Sequence, residues 1–373
     1  MRSKGLSSLT VIIPTVSRPM FVLRQFRYWR ISDAQVVILD GAKSPIQIPK
    51  DLESPNIRYI HTGTSFNERL AMAGQYVVTP YCALLADDEF FLFSGLHAAI
   101  NRLQADPETL GCVGRCLGFF VDQGRFLTRD MYREWRPFSN SANSPEARLD
   151  EDLPPNKTHM ATYSIMRSRD WVEIFKNSYQ KAFSCAYTYE RLTNLQRSIR
   201  GRTEILEDLL WMRSWENSPV VDQSMPRTGV HNLVAWARSQ EFLHEVLNYR
   251  SIARQLLISG GVTSPAADIF EQRFFIGGIQ RQATKEAKNK RKFSTFVRYA
   301  ALNYTPQVLR TLAKQYVPNR VLAFSGWQGF ELDEMFQLLE EWGTRFDREE
   351  LSVVRQLSLE LHASILSAGQ SLQ

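Results

Sequence analysis

Continuous apolar runs of strand length alternate with helix-spaced stretches through the first third of the chain. LTVIIPT (9–15), AQVVILDGA (34–42), NIRYIH (56–61) and YCALLA (81–86) have the composition of buried parallel strands. Between them, RPMFVLRQFRYWR (18–30) sets Phe21, Val22, Phe26 and Trp29 at helical spacing. SFNERLAMAGQYV (65–77) opens on Ser65 with Glu68 three residues later, a capping box, and SGLHAAINRLQAD (94–106) reads as a further helix. This alternation predicts an α/β fold: right-handed crossovers building a mostly parallel sheet with helices on both faces.

Beyond residue 107 the pattern is mixed. LGCVGRCLGFF (110–120) reads as a strand, and MATYSIMRSRDWVEIF (160–175) as a strand followed by a helix. RTEILEDLLWMRSWEN (202–217) reads as an apolar helix carrying Glu204, Glu207 and Asp208, and GVHNLVAWARS (229–239) as one more strand. The segment 134–157, rich in Pro, Ser and Asn, reads as a loop. From about 245 onward the pattern is mainly helical. The expected division is one α/β domain over 1–245 and a helical region over 246–373.

The chemistry gathers where predicted strands end. In CALLADDEFF (82–91) an apolar run stops at three carboxylates, Asp87, Asp88 and Glu89, before Phe90 and Phe91 resume burial. Adjacent carboxylates repel and resist desolvation, so such a cluster calls for a cation or for solvent. Pro14-Thr15 and Asp40-Gly41 also fall at predicted strand C-termini. In parallel sheets those ends line one edge, where functional groups collect. A solvated turn at 87–89 and a tight turn at 40–41 are the plainer readings of the same residues.

Composition narrows the class without choosing a function. At 44% hydrophobic and 23% charged residues the chain is an ordinary globular one, with no uninterrupted apolar run of membrane-spanning length. Its four cysteines form no C-x-x-C pair and read as buried free thiols, and the six histidines show no spacing that would build a zinc site with them. A net charge of +6 suits anionic partners. Seven basic residues against one acidic lie in 281–298, interleaved with Phe293, Phe296, Val297 and Tyr299. That stretch reads as a solvated face or as a contact with anionic lipid. No nucleic-acid module accompanies it, so nucleic acid is not the expected partner.

Taken in order, LTVIIPTVSRP, VVILDGA and TPYCALLADDEFFLFSGL resemble the N-terminal half of GT-A-fold, family-2-like bacterial glycosyltransferases. The resemblance covers about 9–120 well, 160–240 loosely and the last third hardly at all. It implies a nucleotide-sugar site built from Pro14, Thr15, Arg18, Asp40, Gly41, Asp87 and Asp88, with UDP the favoured nucleotide. Asp87-Asp88-Glu89 stands where the family carries its D-x-D motif, which implies Mn²⁺ or Mg²⁺ held by Asp87, Asp88 and Glu89. Hard divalent cations do take carboxylate oxygens. The sequence departs from the motif at Glu89, whose extra methylene puts the metal in doubt. The resemblance also implies an acid facing the donor's anomeric carbon from the start of a helix, as general base of an inverting transfer. Asp208 is the first choice and Glu207 the second, with favourable placement of acids near a helix N-terminus as the plainer explanation.

The implied acceptor is a glycan or lipid-linked glycan of a bacterial surface polysaccharide. The implied location is the cytoplasm, peripheral on the inner face of the membrane. Arg115, Tyr132, Trp135 and Tyr163 are further candidates for donor contact, against ordinary packing. Two other classes stay open: a non-catalytic nucleotide- or glycan-binding GT-A relative, and a nucleotidyltransferase. The absence of any glycine in IPTVSRPMF weighs against the second.

Overall fold

The structure is a computed structural model and describes residues 4–122, 124–132, 140–153, 161–216, 233–284, 287 and 329–367. In chain order the first elements are β1 (Leu9–Thr15), α1 (Pro19–Trp29), β2 (Gln35–Asp40), β3 (Ile57–His61), α2 (Phe66–Met72), β4 (Tyr81–Leu84), β5 (Phe90–Phe91) and α3 (Phe93–Ala105). The middle holds β6 (Thr109–Asp122), β7 (Arg125–Met131), α4 (Pro145–Asp152), β8 (Ile165–Arg167), α5 (Ser168–Tyr179), α6 (Tyr187–Arg200) and β9 (Arg202–Ser214). The remainder is α7 (Leu233–Arg238), α8 (Leu243–Ser259), α9 (Ser264–Gln272), β10 (Phe330–Glu331), α10 (Leu332–Glu341) and α11 (Arg348–Ser367).

The fold is a mixed α/β one around a central sheet of order β3-β2-β1-β4-β8-β6-β7-β10, with β9 beside β6 and β5. The first four strands are parallel, as expected, but β3 is not a buried strand: it forms the sheet's edge and buries only Ile57. β8 then joins β4 antiparallel, while β9 runs parallel to β6. Side chains alternate by strand period. Val11 and Ile13 enter one core with α1 and α3, whereas Ile12 enters the other with α5 and α6.

Three local expectations are corrected. Residues 202–217 are not a helix: Arg202–Ser214 is strand β9. The acids at 204, 207 and 208 have helical spacing, but Leu209, Leu210, Trp211 and Met212 are consecutively buried between β6 and β5. A four-residue apolar run with both faces covered fits a central strand, and tertiary pairing outweighs the weak helical pattern. Within the expected strand 229–239 the described part is helix α7, and 229–232 lie outside the described residues. Part of the expected loop 134–157 is helix α4, whose N-cap Ser144 accepts from the Ala147 amide at 3.2 Å.

The packing does not separate at residue 245. The C-terminal region is helical, yet Leu332, Met335, Phe336, Leu339, Leu351 and Val354 share one core with β1, β2 and α3. β10 pairs with β7, and α8 and α9 belong to the core on the other side of the sheet. Glu350 of α11 reaches the N-terminus of α3, accepting from the Phe93 amide, the Ser94 amide and hydroxyl, and Tyr28 Oη. α3 has no side-chain cap of its own, so α11 satisfies amides that would otherwise be orphaned. All four cysteines are buried free thiols.

Close approach of α3 to β9 depends on Gly95. A Cβ there would lie 2.5 Å from the Leu209 carbonyl oxygen and 2.6 Å from Leu210 Cα, both backbone atoms that cannot swing aside. Gly95→Ala should therefore cost about 1–3 kcal/mol by overpacking. A lower denaturant midpoint at unchanged m-value is the expected observation.

Candidate active site

β1 lies between β2 and β4, and the chain moves from β1 outward to β2 and β3 before returning to β4 on the other side. The sheet's switch point is therefore the gap between the C-terminal ends of β1 and β4, where open α/β sheets place ligands. Thr15 ends β1, and the Asp87-Asp88-Glu89 turn follows β4. Thr15 Oγ1 donates to Asp87 at 2.6 Å across this gap.

The β1–α1 turn brings Arg18 into the same place. Ser17 adopts a left-handed conformation (φ 54°), uncommon for a residue with a Cβ, and Pro19 starts α1. Arg18 then forks over the acidic turn, with Nη1 donating to Asp87 at 2.5 Å and Nη2 to Asp88 at 2.9 Å. Its guanidinium lies 4.3 Å from the centroid of the Phe21 ring. Burial pulls Arg18 toward its neutral form, but Asp87 and Asp88 outweigh it and leave its pKa raised. Burial pushes the Asp87 carboxyl up to about 6 against the pull of Arg18.

Helix α1 also holds the backbone of the turn. Gln25 Nε2 donates to the carbonyls of Asp87 (2.9 Å) and Glu89 (2.7 Å), and Arg24 Nη2 to that of Asp88 (2.7 Å). Trp29 Nε1 fixes the other end of the Gln25 amide at 2.9 Å. Arg24 is buried and pairs with Glu216 at 2.8 Å. Sequence reasoning missed Arg24, Gln25 and Glu216. The available signal was a polar pair on the otherwise apolar face of α1.

Glu89 turns away from Arg18. It is 6% exposed, and its carboxylate accepts from Trp211 Nε1 at 2.8 Å, with Arg213 4.0 Å away. Burial, reinforced by Asp88, raises its pKa well above the ordinary range, which favours the neutral acid. The three residues expected to hold Mn²⁺ or Mg²⁺ therefore do not fit a divalent cation as they stand. Asp87 and Asp88 are bonded to Arg18, and Glu89 points into protein. Among the described residues, no three His, Cys, Asp or Glu side chains are grouped to hold a metal.

Pro14 and Gly41 lie at the ends of β1 and β2, with the Gly41 amide donating to the Thr15 carbonyl at 3.0 Å. Asp40 is paired with Thr15 in register, but its carboxylate is fully buried. It accepts from the Ala42 amide at 2.8 Å and Tyr59 Oη at 2.5 Å, which shapes the β2 loop rather than presenting the acid to the gap. Burial, with the bond to Asp40, raises the Tyr59 phenol to about 12. The Arg69 guanidinium crosses Gly41 to reach the Thr64 carbonyl, through space that a Cβ would fill.

The acids at 207 and 208 are not brought to the gap. Asp208 precedes Met212, the partner of Phe90, by roughly 13 Å of strand at about 3.3 Å per residue. Its carboxylate makes a two-pronged pair with Arg345 at 3.0 and 2.7 Å. Glu207 is exposed, and its carbonyl accepts from the Arg345 amide at 3.2 Å. The helix on which the base assignment rested is absent, so the pair has no helix N-terminus to occupy. Arg115 likewise donates to the Trp342 carbonyl and to Thr344, joining β6 to the C-terminal region. Trp135 and most of the basic stretch 281–298 lie outside the described residues.

A different acid meets the helix requirement. Glu190 stands in the first turn of α6, half-buried, and the surrounding protein raises its carboxyl pKa by desolvation. Tyr163 is stacked on Trp211 with ring centroids 4.5 Å apart. Burial raises the Tyr163 phenol well above its ordinary range, and the charges of Glu89, Glu190 and Asp88 all add to the rise. Glu190 also raises Tyr179, after burial. Its sequence signal was an acid opening an amphipathic helix that stops at Gly201.

No protein-family model matches the chain, and neither does any curated protein. Among solved structures it is similar to residues 1–349 of S. aureus TarS, at 12% identity and a TM-score of 0.48, over 98% of this chain and 93% of that one. The complex of the same TarS piece with UDP-GlcNAc gives a TM-score of 0.49 at 12% identity, over the same shares of each chain. Longer TarS gives 0.44 at 14% identity, over 94% of this chain and 55% of that one.

Proposed function

We propose that this protein is a glycosyltransferase of GT-A type that takes its sugar from a nucleoside diphosphate donor, with UDP the first nucleotide to test. One observation carries the reading. Thr15, Arg18 and Asp87 are joined across the β1–β4 gap, the switch point of the sheet, where a hydroxyl, a guanidinium and a carboxylate suit a nucleotide's ribose and phosphates.

Glu190 is the general base in this reading. Its carboxylate takes the proton of the acceptor hydroxyl, and the freed oxygen pair attacks the anomeric carbon. The bond from that carbon to the diphosphate oxygen breaks, its electron pair leaves with the nucleoside diphosphate, and configuration inverts. Tyr163 and Tyr132, half-buried and both stacked on the buried Trp211, are the rings on which a sugar could stack. No step is assigned to a metal.

The acceptor is read as a glycan of a surface polysaccharide, assembled at an anionic membrane surface. Exposed Leu243, Leu247, Ile269 and Ile276, ahead of the basic stretch, support that placement. Among the described residues, no helix is long and apolar enough to cross a membrane.

The test is thermal stability with UDP, GDP, dTDP and CMP, followed by release of the bound nucleotide from the matching sugar donor. A nucleotide at 100 times its dissociation constant should stabilise the fold by about 2.7 kcal/mol. Stabilisation without turnover on any acceptor glycan would identify a binding module. No stabilisation by any nucleotide would remove the donor site.

A further inference from the structure

Resting on that nucleotide reading, we propose that Arg18 is the site's built-in cation: a nucleoside diphosphate binds at the Thr15–Arg18–Asp87 corner without a divalent metal, its phosphates met by this guanidinium. The first ground is occupancy. A divalent cation on this turn would sit between the Asp87 and Asp88 carboxylates, within about 2.0–2.6 Å of their oxygens. Arg18 already bridges them, at 2.5 and 2.9 Å.

The second ground is that Arg18 is fixed in place. The left-handed Ser17 and Pro19 set its backbone on either side, Phe21 lies under its guanidinium, and its side chain is only 14% exposed. Entry of a metal would break two charge-assisted hydrogen bonds and leave a largely buried guanidinium without its partners, a costly exchange.

The third ground is that the acids around the turn already face arginines: Arg18 takes Asp87 and Asp88, Arg24 takes Glu216 at 2.8 Å, and Arg213 stands 4.0 Å from Glu89. A guanidinium carries five N–H bonds in a planar fork, and Asp87 and Asp88 take two of them. The others match phosphate oxygens, the geometry in which arginine is the preferred partner.

The test is calorimetric titration of the unmodified protein with UDP, once in excess EDTA and once with Mn²⁺. Equal affinity in both buffers is expected. Arg18→Gln should weaken binding in EDTA by about 10- to 100-fold, the worth of a hydrogen bond to a charged group. Arg18→Lys, which keeps the charge but loses the fork, should fall between the two. Binding seen only with Mn²⁺ overturns the proposal and leaves the nucleotide site standing. Folded Arg18→Gln protein that binds UDP in EDTA as tightly as the parent also overturns it. No binding of UDP or of the other nucleoside diphosphates in either buffer overturns the nucleotide reading itself, and this inference with it.

Discussion

Glu190→Gln should lower turnover by about 10²–10⁴-fold while nucleotide binding stays intact. Glutamine keeps the shape and hydrogen-bonding reach of the side chain but cannot accept the proton of the acceptor hydroxyl. The loss should therefore appear in kcat, with the dissociation constant for UDP unchanged. On the proposed function, the same carboxylate gives the parent protein a predictable acid limb. Burial raises its pKa, and the base works only when ionised. Activity should accordingly fall as pH falls, beginning above the range where an ordinary glutamate titrates, and this limb should vanish in Glu190→Gln. Tyr163 and Tyr179, the phenols facing it, are pushed upward by burial and stay protonated through that window. Asp208→Asn is the companion measurement. If it abolishes turnover while Glu190→Gln does not, the strand residue is the base, and Glu190 is only a half-buried acid.

β1, β2 and β4 were legible because each is a continuous apolar run ended by a turn signal, and position alone then brought Thr15 and Asp87 to one edge, while Arg18 came from the family resemblance. The capping box at Ser65 and Glu68 was legible for the same reason, since both its bonds are local. What sequence could not carry was partnership at a distance. Glu204, Glu207 and Asp208 have helical spacing, yet Arg102 and Arg345 claim the first and third from remote elements and the segment pairs as a strand. Glu89 reads as a metal ligand beside two aspartates. Only the fold brings Trp211 to its carboxylate and turns it inward. Asp40 shows the same limit in reverse, at the right strand end but spent on Ala42 and Tyr59. A carboxylate's chemistry is decided by which donor reaches it first, and that donor is usually far away in the chain.

The same logic sets the largest expected loss of stability, at a pair no local pattern marks. Arg197 of α6 and Asp152 of α4 are 0% and 2% exposed and lie 2.6 Å apart. Arg197 also donates to Thr203 Oγ1 at 2.6 Å, and Ser198 donates to the same Asp152 oxygen. Burial lowers the Arg197 pKa, and Asp152 is the charge that opposes this. Asp152→Ala would leave a buried guanidinium without its counter-charge, at a cost of about 3–5 kcal/mol. Replacing both groups, as Asp152→Ala with Arg197→Met, removes the stranded charge and should recover much of that loss. Denaturant midpoints of the two proteins, compared with the parent, measure the difference directly. Equal destabilisation by the single and double variants would mean that packing volume, not charge, governs this contact. The outcome bears on the proposed base as well, because Arg197 sits two turns beyond Glu190 on α6. The pair that anchors the helix also sets the position of the acid at its first turn.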